Sequence, residues 1–147
     1  LRTHNHNQKI MKKSKYQIPL WIMILSVAGL FSFSGLNLQD DWEVPGKYKK
    51  MENPAPDDNE SIAIGKQLWS KHCKSCHGKE GAGDGPKAAE LDTPAGDFTS
   101  AAFQGQSDGE LFYKTTFGRD DMPAYEKKVA SDEDRWILVH YMRTFAK

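Results

Sequence analysis

The chain has 147 residues, with 20 basic and 20 acidic side chains and a formal net charge of zero, enough for one modest domain. Every acidic residue lies at or beyond Asp40, whereas five basic ones (Arg2, Lys9, Lys12, Lys13, Lys15) precede residue 35. The remainder therefore carries fifteen basic against twenty acidic residues, a net −5. An acidic domain argues against nucleic acid and anionic membrane surfaces as partners and favours positively charged protein patches.

Residues 1–35 read as a leader. Lys12, Lys13 and Lys15 make a positive flank, Ile18 to Phe33 is an apolar run of 16, and Ser32, Ser34 and Gly35 offer small residues for cleavage. Met11-Lys12-Lys13 is the more natural start of such a leader. The run falls between the length of a signal core and that of a full membrane span. A cleaved signal and a retained anchor through 18–33 both stand, and both imply export to the periplasm, soluble or anchored to the inner membrane. Residues 36–59 form a polar tether with Pro45, Gly46, Pro54 and Pro56 and little apolar periodicity. Trp42 and Tyr48 within it either dock on the domain or belong to a solvated linker.

The domain proper is expected over 60–147. Asp57 and Glu60 have the spacing of a capping box, and Ile62, Gly65, Trp69, Cys73 and Cys76 recur at helical intervals as one buried stripe. Gly65 on that stripe would let another helix approach closely. Gly78 is placed to stop the helix.

Cys73-Lys74-Ser75-Cys76-His77 ends that stripe, and it contains both cysteines of the chain. On a helix, positions i and i+3 lie about 5–6 Å apart, which suits two sulfurs bonding one edge of a porphyrin. The next residue is a histidine able to ligate the iron. This is the pattern of covalent c-type haem attachment. A zinc site would need a second ligand pair, and no other cysteine exists, while His72 and His140 show no ligand spacing. A thioredoxin-like redox pair would need a βαβ pattern, which is absent. The expected cofactor is one covalent haem c, with Cys73 and Cys76 as thioether anchors and His77 as an iron ligand. Export agrees with this, because bacterial c-type attachment takes place outside the cytoplasm.

Gly78 to Gly85 reads as a tight loop beside the haem; a phosphate cradle would need a Gly-Lys-Ser/Thr ending and a preceding strand. Pro86 to Leu91 suits a short helix with proline at its first position. Thr93 to Gln106 reads as irregular, with Phe98 and Phe103 as pocket walls. Ser107 and Glu110 have capping-box spacing before a short helix, Leu111 to Phe117, stopped by Gly118. Asp120-Asp121-Met122-Pro123 must leave the helix, because the residue before proline is driven to an extended conformation. Ser131 and Asp134 start a last helix that carries Trp136, Leu138, Tyr141 and Met142 to about Phe145. No stretch alternates as a strand, so the expected class is all-α.

Met122 is the candidate second iron ligand. It precedes a proline in a polar loop, an odd place for a core methionine, and lies 45 residues beyond His77, enough chain to return to the haem. Met142, His140 and Met51 are its rivals. Arg119 is either a propionate partner or a plain surface residue, and Tyr125, Trp69 and Trp136 are core or haem-wall aromatics.

From Gly65 onward the pattern resembles the class I cytochromes c of small bacterial type. Gly65-x-x-x-Trp69-x-x-x-Cys73 looks like the family's first helix, and Cys73 to His77 matches its attachment site. Gly118 to Pro123 resembles the distal-ligand loop, and Leu138-x-x-Tyr141 looks like the pair that crosses the first helix at its glycine. Gly81-Ala82-Gly83-Asp84-Gly85-Pro86 followed by alanines is similar to a subgroup that serves respiratory complexes. The resemblance implies a cytochrome c fold, three main helices plus short ones around one haem, ligated by His77 and Met122. It also implies a proline carbonyl holding the proximal imidazole, for which Pro86 is the candidate, closer to the motif than in the mitochondrial type. The implied function is one-electron transfer, not catalysis, between respiratory membrane complexes or to a terminal oxidase. A haem subunit of a larger respiratory complex is the alternative. A ligand sensor or peroxidase would need an open iron position, and no acid–base pair accompanies the motif.

Overall fold

A computed structural model describes residues 42–147. The leader with its apolar run 18–33, and the tether before Trp42, lie outside the described residues. In chain order the elements are α1 (Gly46–Lys49), α2 (Asn59–His72), α3 (Lys74–His77), a 3₁₀ turn at Ala88–Glu90, α4 (Ala101–Gln104), α5 (Asp108–Phe117) and α6 (Asp132–Arg143). Among the described residues there is no strand, only an isolated antiparallel bridge between Arg119 and Met122. The fold is all-α, as expected. No helix among the described residues is long and apolar enough to cross a membrane.

Helix α2 starts one residue later than the sequence suggested. Asp58, not Asp57, takes the extended cap conformation, and its carboxylate accepts from the Ser61 amide at 2.8 Å. Glu60 then sits in the first turn, where a negative charge suits the helix dipole. The helix crosses α6 at Gly65. A Cβ there would lie 2.7 Å from the Tyr141 Cβ and 3.0 Å from the Ile137 carbonyl oxygen, so only glycine permits this approach.

Helix α6 is capped by Ser131, whose side chain accepts from the Asp134 amide, and it serves two cores. Leu138 and Met142 pack with Trp69, Cys73, Phe98 and Phe145, while Trp136 and Val139 pack with Leu111 and Phe112. Burying each of these side chains favours folding by about 1.5–3 kcal/mol. Serving cores on two sides explains why Arg135 through Val139 form an unbroken buried run.

Ser107 and Glu110 form a reciprocal capping box, and α5 begins at Asp108, three residues before the apolar run that marked it in the sequence. At the far end of α6, Arg143 donates to Asp108 at 2.6 Å and so joins the two helices. The segment 93–106 is not wholly irregular. Ser100 accepts from the Phe103 amide and starts α4, which is too short to show a period.

The segment between Trp42 and Asn59 docks on the domain. Val44 is 3% exposed, and Tyr48 packs its ring 4.8 Å from Tyr113 and 5.8 Å from Phe117. Asn53 donates to the Trp136 carbonyl at 3.0 Å, and His140 Nε2 meets the Ala55 carbonyl at 3.0 Å. Trp42 lies under the Arg119 guanidinium at 4.9 Å.

Candidate haem-attachment site

The motif occupies a break between α2 and α3. Cys73 caps both helices with φ −115° and ψ −37°, and its carbonyl accepts from both Cys76 and His77. The short α3 then carries Lys74 to His77 and ends at Gly78. The tightened turn is why the single stripe predicted from Ile62 to Cys76 appears as two helices.

The glycine-rich loop folds back onto α3. Gly83 donates to the His77 carbonyl at 2.9 Å, Gly85 to Cys76 at 3.1 Å and Lys87 to Ser75 at 2.8 Å. These bonds satisfy carbonyls that a terminating helix leaves open. At Gly85 a Cβ would fall 2.5 Å from the Ser75 oxygen and 2.6 Å from the Cys76 carbonyl carbon. The loop is therefore a clamp on the attachment motif, with the Gly83 and Gly85 amides spent on its backbone carbonyls.

Aromatic rings enclose His77. Phe98 lies 4.6 Å and Trp69 5.7 Å from its ring, and Phe103 stacks behind Phe98 at 4.0 Å. The Trp69 indole donates to the Gly78 carbonyl at 3.0 Å, which pins the end of the motif. Burial lowers the His77 pKa, so the ring is held neutral, while the Ala95 carbonyl acts in the opposite sense. The carbonyl that acts on the His77 ring is thus that of Ala95, whereas Pro86 was the candidate from the resemblance. The Ala95 carbonyl lies near enough to favour a proton on the ring, yet Nδ1 is buried and makes no hydrogen bond of ordinary geometry. The sequence offered a weak signal for this, the breaker residues Pro94 and Gly96 on either side of Ala95, just before Phe98.

Cys73 is buried and Cys76 half-buried, both as free thiols. Burial, with Cys76 nearby, pushes the Cys73 thiol up to about 12. Met122 is half-buried in a loop closed on itself, with Arg119 and Met122 exchanging backbone bonds of 2.9 and 2.8 Å. Its rivals have other roles: Met142 fills the core beside Trp69, His140 holds Ala55, and Met51 is 39% exposed. His72, expected on the surface, is half-buried against the Tyr125 ring at 5.9 Å. Among the described residues no group of three or more His, Cys, Asp or Glu side chains could hold a bare metal ion.

A family model described as cytochrome c oxidase, cbb3-type, subunit III, matches residues 60–142, more than half of the chain. The chain belongs to this family. It is a class I c-type cytochrome, and the family implies covalent haem c. The protein is similar to a chain of the Kuenenia stuttgartiensis reducing HAO-like protein complex Kustc0457/Kustc0458. That match has 32% identity and a TM-score of 0.59, and covers 64% of this chain and 47% of that one. The cytochrome thus spans about half the length of that relative. It is also similar to the KustC0563 c-type cytochrome, at 28% identity and a TM-score of 0.49 over 56% of this chain and 98% of that one. No curated protein matches the sequence.

The side chains fit the cofactor of a c-type cytochrome. Two unpaired thiols precede a neutral imidazole whose buried Nδ1 lacks a partner, and an apolar aromatic wall surrounds them. A ligating imidazole presents one nitrogen to the metal and turns the other towards an acceptor. The Ala95 carbonyl is the acceptor within reach.

Proposed function

We propose that this cytochrome is a one-electron carrier with a single haem c, anchored by Cys73 and Cys76 and ligated by His77 and Met122. The observation that carries the reading is His77, a half-buried imidazole whose Nδ1 is buried without a hydrogen-bond partner and whose ring is boxed by Trp69 and Phe98. The haem, when bound, supplies the one-electron couple. Met122 contributes a soft, neutral sulfur, which favours the ferrous state. The aromatic wall acts in the same direction, because a low dielectric disfavours the extra positive charge of the oxidised centre. With both ligands in place no coordination position is left for oxygen or peroxide. The chain would act after export, in the periplasm or tethered to the inner membrane, handing electrons between respiratory membrane complexes or to a terminal oxidase.

The test is the absorption spectrum of the oxidised protein, which should show the weak far-red band of methionine sulfur on ferric haem. Met122→Ala should abolish the band and lower the midpoint potential by at least about 59 mV, the equivalent of a tenfold shift. An unchanged potential in redox titration would remove Met122 from the iron.

A second reading, a haem subunit of a larger redox assembly, is favoured by the family's description and by the relative that sits in a complex. Purification from membranes separates the two: a subunit arrives with stoichiometric partners, a carrier arrives alone.

A further inference from the structure

The loop that carries Met122 is tied across the molecule by the side chains on either side of it. Helix α5 stops at Gly118, whose φ of +63° is the left-handed region and where a side chain would collide with the Met122 carbonyl. The chain doubles back through the Arg119–Met122 bridge, and the Tyr125 amide then returns to the Thr115 and Thr116 carbonyls at 3.2 and 3.1 Å. Before Met122, the Asp121 carboxylate accepts from the amides of Asp92 and Thr93 at 2.8 and 3.1 Å. After it, the Tyr125 hydroxyl donates to the His72 carbonyl at 2.7 Å.

The His72 carbonyl is not an arbitrary acceptor. In an unbroken helix it would receive the amide four residues on, that of Cys76. The break at Cys73 diverts that amide to the Cys73 carbonyl at 3.2 Å. The break that presents the two cysteines thus leaves one carbonyl open beside the first of them, and Tyr125 fills it. Tyr125 is 8% exposed, and burial pushes its hydroxyl up to about 12, so it remains a donor at any ordinary pH.

We propose that Tyr125 is a positioning residue for the distal ligand, a latch whose hydroxyl ties the Met122 loop to the thioether segment and sets how readily Met122 leaves the iron. The inference rests on the reading of Met122 as that ligand. An incoming ligand can bind only when the loop is open, so its apparent affinity scales with the fraction of time the loop is open. Loosening the latch raises that fraction.

The experiment is a titration of the oxidised holoprotein with imidazole, followed by loss of the far-red band. Tyr125→Phe keeps the ring and removes the bond, and should bind imidazole about tenfold more tightly than the wild type. Ser107→Ala, which weakens the α5 cap, serves as the comparison. It should lower the thermal midpoint and leave imidazole affinity unchanged, as any merely structural role would. A folded Tyr125→Phe with wild-type affinity overturns the latch and leaves the ligand reading intact. A wild-type spectrum without the band overturns both. Should Tyr125→Phe not fold, hydrogen exchange on the wild type decides instead. Imidazole should speed exchange at the Tyr125 amide, and unchanged exchange with the band displaced would overturn the latch.

Discussion

Trp69 is 2% exposed and does more than fill space, since its indole holds the Gly78 carbonyl at the end of the attachment motif. Trp69→Phe would keep most of the packing against Phe98 and Phe145 and leave that carbonyl without its donor. An unsatisfied buried acceptor costs about 1–3 kcal/mol. Denaturant unfolding of the holoprotein should report a loss in that range, and a loss near zero would mean water replaces the indole. The sequence placed Trp69 correctly on the buried stripe, because helical periodicity fixes which face a residue occupies. It could not name the Gly78 carbonyl, because that contact exists only after the chain turns at Cys73. The same limit explains Ala95, Tyr125 and Asp121. Each acts through a backbone group remote in sequence, and such pairs leave no local pattern. Cys73, Cys76 and His77 stood out in the sequence as a candidate attachment motif because that chemistry demands a fixed spacing within one turn of helix.

Among the helices, α5 shows how a local signal carries an energetic consequence. The Glu110 carboxylate accepts from the Ser107 amide at 2.8 Å, and that bond, ahead of the Ser107 hydroxyl, Lys49 and Lys114, holds its pKa below the ordinary carboxylate value. A carboxylate depressed in the folded state contributes stability that is complete above its unfolded pKa and is lost as pH falls through the folded one. Replacing it with an amide that does not titrate should therefore matter at neutral pH and fade in acid. Glu110→Gln is expected to lower the thermal midpoint at pH 7, with the gap to wild type closing between about pH 5 and pH 3. A gap of constant size across that interval would show that charge contributes nothing to the cap. The capping box was visible in Ser107-x-x-Glu110, but the helix start was placed at the first apolar residue instead of just after the cap. Helix α4 went unseen because four residues hold barely one turn.

For the molecule as a whole, the open question in the sequence was whether Trp42 and Tyr48 belong to a solvated linker or to the domain, and burial answers it. Composition suggested a tether because prolines and charges dominate 42–59, yet a buried Val44, with Tyr48 and Ala55 packed against the core, is enough to dock the strap. The backbone of Tyr48 presses so closely on α5 that a Cβ on Gly109 would collide with its carbonyl oxygen and lie 2.9 Å from its carbonyl carbon. This makes Gly109→Ala a decisive substitution, because two effects of known sign compete. Alanine in place of glycine favours a helix by roughly 1 kcal/mol. Overpacking against a fixed backbone costs about 1–3 kcal/mol. If the strap is held as the structure shows, the second effect prevails: the variant is less stable by thermal unfolding and is cut more readily by protease between residues 42 and 58. The far-red band should persist, since the strap meets the Met122 loop at the Arg119 side chain, over Trp42, while the Arg119–Met122 backbone bonds are made within the loop itself. A Gly109→Ala protein more stable than wild type would mean that the strap yields at little cost, and the family's matched region, residues 60–142, would then carry the stability without it.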